Sequence, residues 1–148
     1  MSEVPAAEQG EKEAQEAGPR ARERLQALAD FLHHIEHERQ LSPRTVLAYT
    51  NDLHEFEAFL GRYYGSGEWR WAGVDRLAIR SFMGDCMTRR SLSKRSVARK
   101  LSAVRSFYRF CHLEELIETN PARSVRSPRA DRRLPGFLTR PQMEAIFG

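Results

Sequence analysis

The segment SLSKRSVARKLSAVRSFYRF, residues 91–110, has the periodicity of one amphipathic helix and carries basic residues at many of its polar positions. Ser93 is a suitable N-cap because its side-chain oxygen can accept a hydrogen bond from a free backbone N–H group. At 100° per residue, the apolar residues of this helix fall within about 80° of arc. They are Val97, Leu101, Val104, Tyr108 and Cys111, with Phe107 at the edge. The segment therefore predicts a helix that packs along one side.

The opposite side of this helix is basic. It consists of Arg95, Arg99, Ser102, Ser106 and Arg109, with the apolar Phe110 among them, to which no role is assigned. Solvated helix faces usually mix acidic with basic residues, because pairs four residues apart stabilise the helix. No acidic residue lies between Lys94 and His112. We therefore expect an external anion to compensate the charge, and Lys94, Arg95 and Ser96 lie in the first turn, where the helix dipole favours one.

Positive charge is concentrated in this part of the chain. The 148 residues have a formal net charge of +4. Residues 89–133 hold thirteen basic and four acidic residues, whereas residues 21–88 hold eight basic and ten acidic ones. Such segregation is typical of a protein that binds a polyanion such as a nucleic acid.

The rest of the chain predicts helices and no strands, so the fold class is all-α. The predicted helices cover about residues 21–39, 43–61 and 75–89, followed by the helix after Ser93 and a short fifth helix or turn at Asn120. Leu77 belongs to the predicted apolar side of the third helix. Trp69 and Trp71 lie in a glycine-containing loop and are expected to fold back onto the core, since large aromatic side chains are usually packed.

The second helix offers a start that matches the start of the fourth. Ser42 is its predicted N-cap, and Pro43 occupies the first helical position, where a missing N–H group costs nothing. Arg44 and Asn51 point away from the apolar stripe of this helix, and Thr45 lies near its boundary. Helices that enter a major groove by their N-terminal end read base edges from such positions.

The ends of the chain differ in composition from its centre. Residues 1–20 lack aromatic residues and hold five Glu, which predicts a disordered acidic tail before a helical domain over residues 21–126. Residues 127–137 contain prolines and arginines and predict a basic linker. Residues 138–148 begin a new helix that has no partner of its own, as expected for the opening of a following domain.

Several function classes are excluded by what the sequence lacks. Cys86 and Cys111 have no metal-ligand spacing and no signal peptide precedes them, so we expect reduced, packed thiols in a cytoplasmic protein. No segment is apolar over the length that a membrane span requires. His33, Glu36 and His37 match the inverted zincin pattern, but both histidines point away from the apolar stripe, and we reject a metal site. No cofactor-binding or catalytic motif occurs.

Three segments resemble, in order and spacing, the N-terminal core-binding domain of tyrosine recombinases, especially those of the Xer type. They are LSPRTVLAYTNDLHEFEAFL at 41–60, SKRSVARKLSAVRSFYRFC at 93–111 and TNPARSVRSPRADRRLPGFLT at 119–139. The resemblance covers about residues 25–148. It implies a small SAM-like bundle of four to five helices, built as two crossed helix hairpins, that forms one jaw of a clamp on duplex DNA.

The resemblance also assigns residues to the DNA. It implies that the second and fourth helices lie on the major groove, and it places Arg44, Thr45, Arg95, Ser96, Arg99 and Lys100 at the DNA and Arg126, Arg129, Arg132 and Arg133 near the phosphate backbone. With Lys94 and Asn51 from the two helix starts, these are the predicted DNA-binding residues. Lys100 is the exception in helical phase, because it lies beside Phe107 at the edge of the core and would have to snorkel outward to reach a phosphate.

In this family a tyrosine attacks the scissile phosphate, and arginine, lysine and histidine or tryptophan side chains stabilise the transition state without a metal. Those residues belong to a C-terminal domain, so the resemblance implies that this chain binds DNA and does not cut it. The parent protein would act as a tetramer on paired sites, in chromosome dimer resolution or in integration. A stand-alone DNA-binding regulator, a helical protein-interaction module and a single-strand or RNA binder remain as alternatives.

Overall fold

The protein is described by a computed structural model over residues 18–128, and every regular element in that range is helical. The elements are α1 (Pro19–His33), a π-helical turn (His34–Glu38), α2 (Pro43–Tyr64), a 3-10 turn (Trp71–Gly73), α3 (Arg76–Thr88) and α4 (Lys94–Leu113). A turn over 121–124 stands where a short fifth helix or turn is predicted. The all-α prediction is confirmed. Most of the predicted acidic tail and the segment from 129 onwards lie outside the described residues.

Both helix starts that the sequence singles out are capped as expected. The Ser42 hydroxyl oxygen accepts a hydrogen bond from the backbone N–H of Thr45 at 3.2 Å, and Ser93 accepts one from Ser96 at 3.1 Å. The Asp75 carboxylate caps α3 in the same manner. Caps of this type stabilise a helix by about 1 kcal/mol each. They fix where α2, α3 and α4 begin.

The end of α2 differs from the prediction. The helix passes through Gly61, where helix end is predicted, and continues to Tyr64. Gly65 follows with a φ of 67°, in the left-handed region that closes many helices and that glycine adopts without strain. The expected helix stop was therefore one turn too early, because a glycine inside a helix costs only about 1 kcal/mol.

One half of the core lies where α1 crosses α4. The ring of Phe31 contacts those of Phe107 and Phe110, both with centroids 5.6 Å away, and stacks on Tyr49 of α2. Phe110 also contacts His34 at 5.1 Å. These contacts bury Phe110 and account for an apolar residue on the predicted basic side, because Phe31 and His34 cover that side at Phe110 while Arg109 beside it stays exposed.

The other half of the core is centred on the tryptophans. Trp71 packs between Phe56 and Phe107, and its indole N–H donates to the carbonyl oxygen of Arg24 at 3.1 Å. The Tyr108 hydroxyl donates to the carbonyl oxygen of Trp71 at 3.0 Å. Trp69 is buried beside Trp71, and the centroids of the two rings lie 4.8 Å apart. The prediction that both tryptophans close the core is confirmed.

Leu77 is a second correction. The sequence places it on the apolar side of α3, but its side chain is 60% exposed. At 100° per residue it lies nearly opposite Phe82 and Cys86, which are buried, while Ala78 takes the inward position in the first turn.

Candidate nucleic-acid interface

The start of α4 presents cations beside free backbone donors. Arg95 is exposed, and no hydrogen bond or ion pair engages its side chain within the described range. Lys94 is exposed next to it, and Ser96 is half-buried. Ser93 satisfies only one of the first-turn N–H groups, and a helix start leaves up to four without a partner inside the helix. The arrangement can hold an anion through charge and backbone donors together.

The start of α2 has the same layout. Arg44 is exposed and has no side-chain partner among residues 18–128, and Thr45 is half-buried. The Ser42 hydroxyl donates to that of Thr45 at 3.0 Å, just as Ser93 donates to Ser96 at 3.1 Å. Asn51 is exposed and lies about 20° from Arg44 around the helix axis, so it continues the same face.

A group of charged side chains joins the two helices behind their starts. We call it the ion-pair cluster, and it consists of Asp52 and Glu55 of α2, Arg90 of the connection before α4, and Arg99 and Lys100 of α4. The Lys100 ammonium donates to Asp52 Oδ1 at 2.9 Å and to Glu55 Oε2. Arg99 donates to the same Asp52 oxygen at 3.0 Å, and Arg90 donates to Glu55 Oε1 at 2.7 Å.

Burial sets the character of this cluster. The side chains of Asp52 and Lys100 are 1% and 6% exposed, whereas that of Arg99 is 56% exposed. Burial alone would raise the pKa of Glu55, but the hydrogen bonds from Lys100 and Arg90 bring that pKa below its ordinary value. The bond to Glu55 in turn raises the pKa of Arg90. Two carboxylates thus face three cations, and the surplus positive charge reaches the surface at Arg99.

Lys100 is the clear departure from the predicted site. Its ammonium is buried between two carboxylates, so the outward, snorkelled position predicted for it is wrong in this structure. The premise of an uncompensated basic row also needs correction. The acids that compensate Lys100 and in part Arg99 come from α2, because that helix packs over the middle of α4.

The cluster lies close to both helix starts. Arg44 is eight residues before Asp52, and Arg95 is four residues before Arg99. These separations correspond to about 12 Å and 6 Å of helix rise, at 1.5 Å per residue. A shift of α2 relative to α4 would have to break buried ion pairs, so the cluster holds the two exposed arginines in a fixed relation.

The remaining predicted residues divide between described and undescribed parts. Arg126 is exposed, close to the end of the described range. Arg129, Arg132 and Arg133 lie outside that range.

The sequence reasoning missed several residues that organise this region. They are Asp52, Glu55 and Arg90 of the ion-pair cluster, and Arg105 near the end of α4. A signal was available for Asp52, since it lies only about 40° from Phe56 around the α2 axis, on the apolar side. A carboxylate in that position needs a buried cation opposite it, and Lys100 occupies the matching position of α4.

His33 and His37 are exposed, and the centroids of their rings lie 4.3 Å apart. Among the residues that the structure describes, no three His, Cys, Asp or Glu side chains are grouped to hold a metal ion. Cys86 and Cys111 are free and buried, and burial raises the pKa of Cys111 to about 12. None of the helices described here is both long enough and apolar enough to span a membrane.

Comparison with known proteins agrees with this architecture. Residues 28–115 match the family described as phage integrase, N-terminal SAM-like domain. The curated relatives include the tyrosine recombinases XerC of Lacticaseibacillus casei (35% identity, covering 83% of this chain and 40% of the relative), Chlorobaculum tepidum (39%, 81% and 36%) and Bacillus subtilis (34%, 79% and 37%). The chain therefore spans about two fifths of the length of these relatives. No solved structure gives a significant match.

The family match begins within α1 and ends just after α4, so it contains both capped helix starts and the ion-pair cluster. It covers more than half of the 148 residues, and the resemblance to tyrosine recombinases that the sequence motifs indicate is confirmed. The chain belongs to the family of phage integrase N-terminal SAM-like domains.

Proposed function

We propose that this chain is the DNA-binding part of a site-specific tyrosine recombinase, and that it contacts duplex DNA through the starts of α2 and α4. The observation that carries the proposal is the pair of exposed arginines, Arg44 and Arg95, at two capped helix starts. The ion-pair cluster holds these starts together. The relatives named as tyrosine recombinases support the same reading.

The chemistry of the two starts suits a duplex. Arginine forms bidentate hydrogen bonds with guanine in the major groove and with phosphate oxygens beside it. Thr45 and Ser96 each accept a hydrogen bond from the cap serine, which leaves their own hydroxyl hydrogens to donate to a phosphate. Asn51 extends the α2 face and offers a side chain suited to adenine.

Arg99 has a distinct role in this proposal. It shares the Asp52 carboxylate with Lys100, and it is the most exposed member of the ion-pair cluster. Because Lys100 stays bonded to Asp52, Arg99 can turn towards a phosphate without leaving a buried carboxylate unpaired. The surplus charge of the cluster thereby becomes available to the DNA.

We further propose that this part of the protein binds without cutting, and that strand cleavage belongs to a following catalytic domain. Tyr108 is an unsuitable nucleophile because it is fully buried and donates its hydroxyl to Trp71. Burial also raises the pKa of Tyr108 well above its ordinary value. Tyr49 is packed against Phe31.

At the level of the whole protein, we propose a tetramer of recombinase subunits on paired DNA sites in the cytoplasm, serving chromosome dimer resolution or integration. One feature of the described residues supports a protein contact. A cleft of about 390 Å³ lies between α1, Trp71 and Leu116, and its lining is mostly apolar, with charged residues that include Glu23, Asp30 and Arg70.

The test is the salt dependence of DNA binding, measured by fluorescence anisotropy with the 148-residue chain and duplex DNA. The variant Arg44→Ala/Arg95→Ala should lower the slope of log affinity against log salt by about two units, at roughly 0.9 per phosphate contact. The matched control is Arg62→Ala/Arg80→Ala, which removes the same charge from exposed positions on α2 and α3. Arg62 lies about 27 Å of helix rise from Arg44, so this control should leave the slope unchanged.

Each alternative gives its own result in this assay. Absence of duplex binding at low salt would refute the proposal and favour the protein-interaction module. Equal loss of slope in both double variants would indicate general charge attraction without an interface at the helix starts. Tighter binding to single strands than to duplex would favour the single-strand or RNA reading.

A further inference from the structure

A second basic feature lies at the other end of α4. A cleft of about 540 Å³ forms between the last turns of this helix and the segment 118–123 that follows it. Its cationic lining comes from Arg105 and Arg109 of α4 and from Arg123, with His112 beside them. We refer to it as the Arg109 cleft.

The walls of this cleft are held in place by their own hydrogen bonds. The Arg105 guanidinium donates to the carbonyl oxygen of Val125 and so ties the following segment to α4. The Asn120 side-chain oxygen accepts a hydrogen bond from the backbone N–H of Ala122 at 2.9 Å. That bond leaves the Asn120 amide group as a donor at the cleft.

Two of the three arginines that line the cleft are not used by the fold. Arg109 and Arg123 are exposed, and within residues 18–128 neither side chain makes a hydrogen bond or an ion pair. Glu118 also lines the cleft, but no ion pair joins it to these arginines. Three arginines thus face one carboxylate, and the cleft has a net positive charge that its own residues leave uncompensated.

The Arg109 cleft also lies on the proposed DNA side of α4. Arg109 is fourteen residues after Arg95, which is about 21 Å of helix rise, and it is turned by only about 40° around the axis. The major groove is about 12 Å wide, so about 21 Å of helix rise extends past the edge of the groove that the helix start enters, where backbone phosphates and no base edges lie within reach.

We propose that the Arg109 cleft binds a phosphate of the duplex backbone that borders the groove, as a second anchoring point for α4. Arg109 and Arg123 would hold the phosphate by charge and by their planar forks of N–H donors. The Asn120 amide adds a neutral donor. This inference rests on the proposed function, because it assumes that the start of α4 faces the same duplex.

The experiment is the same salt series with Arg109→Ala/Arg123→Ala. Arg105 is left unchanged because it supports the fold. Loss of one phosphate contact should lower the slope by about 0.9, which corresponds to roughly eightfold weaker binding at 0.1 M salt relative to 1 M. The variant Arg109→Lys/Arg123→Lys keeps the charge and should retain the slope. Arg62→Ala/Arg80→Ala serves again as the control for total charge, and far-UV circular dichroism checks that each variant is folded.

The outcomes separate this inference from the proposed function. If the unchanged chain binds no duplex, the proposed function fails and this inference with it. If Arg44→Ala/Arg95→Ala loses slope while Arg109→Ala/Arg123→Ala behaves like the unchanged chain, the proposed function stands and the second anchoring point is overturned. A lysine variant that loses as much slope as the alanine variant would also overturn it, because the charge at the cleft is then not what binds.

Discussion

The middle of α4 and its two ends use the same kind of side chain in opposite settings. In the middle, the Lys100 side chain is 6% exposed and bonded to two carboxylates of α2. Arg95, five residues earlier, and Arg109, nine residues later, are exposed and have no partner within the part of the chain that is described. The difference arises because α2 supplies acids only where it crosses α4. A basic helix face therefore indicates a binding surface only where no neighbouring helix supplies acidic partners for its cations.

The largest expected effect tests the buried half of this comparison. Lys100→Ala should lower the free energy of unfolding by about 3 kcal/mol, because it leaves the buried Asp52 carboxylate with only the exposed Arg99 as a partner. Urea denaturation followed by circular dichroism measures this change. Arg95→Ala, which removes a cation from the same helix without breaking a contact, should change stability by less than about 0.5 kcal/mol. Equal effects of the two variants would remove the distinction between middle and end.

Arg24 of α1 extends the comparison to a second buried cation. Its guanidinium donates to the carbonyl oxygens of Gly67 at 2.8 Å and Trp69 at 2.7 Å, and it lies 4.2 Å above the Trp69 ring. Burial lowers the pKa of Arg24. Arg24→Ala should cost about 2 kcal/mol of stability, since it leaves these carbonyls without their donor.

The readout for Arg24→Ala combines urea denaturation with tryptophan fluorescence, which should shift to the red as Trp69 becomes solvated. Arg20→Ala is the matched control on the same helix, because Arg20 makes only an exposed pair with Glu23 at 3.8 Å. A fluorescence maximum that stays in place would mean that Arg24 does not hold the loop before Trp69.

Sequence reasoning succeeds here where the signal is local. The caps at Ser42 and Ser93 and the inward tryptophans follow from a few neighbouring residues each, and the structure confirms them. The number of helices follows from periodicity in the same way. The same holds for part of the candidate site, because the exposure of Arg44 and Arg95 follows from the phase of the one helix that carries each.

The misses share a cause that is not local. Lys100 pairs with Asp52 because α2 crosses α4 at that point, and Phe110 is buried because α1 covers the last turns of α4. Neither crossing can be derived from the period of one helix. The helical phase of Lys100 places it at the edge of the core, but it does not indicate which carboxylate pairs with it there.

Arg99 combines both situations, because it pairs with the buried Asp52 and yet is largely exposed, and its substitution should have an effect of intermediate size. Arg99→Ala should lower stability by less than about 1 kcal/mol, because Lys100 remains bonded to Asp52 and the Arg99 side chain is more than half exposed. Its effect on DNA binding should be larger in proportion, with a loss of about one unit of salt slope. The measurements are urea denaturation and the anisotropy salt series. A variant that loses stability like Lys100→Ala and no slope would assign Arg99 to the fold alone.

The smallest effect concerns pH and the half-exposed edge of the ion-pair cluster. The pKa of Glu55 is below its unfolded value of about 4.5, so this carboxylate stabilises the fold above that pH, and its contribution is lost as the pH falls through the folded pKa. Glu55→Gln should therefore cost about 0.5 kcal/mol at pH 7, as partly exposed pairs do. The difference between variant and unchanged chain should shrink as the pH falls below 4.5 and vanish below the folded pKa, where Glu55 is protonated in both the folded and the unfolded chain. Urea denaturation over a pH series that descends from pH 7 measures it, with Glu118→Gln as an exposed control that no ion pair engages among residues 18–128. If the difference in free energy of unfolding stays the same over the pH series, Glu55 stabilises the fold through packing and not through its charge. Within the ion-pair cluster, the charge-dependent stabilisation would then come from the pair of Asp52 and Lys100.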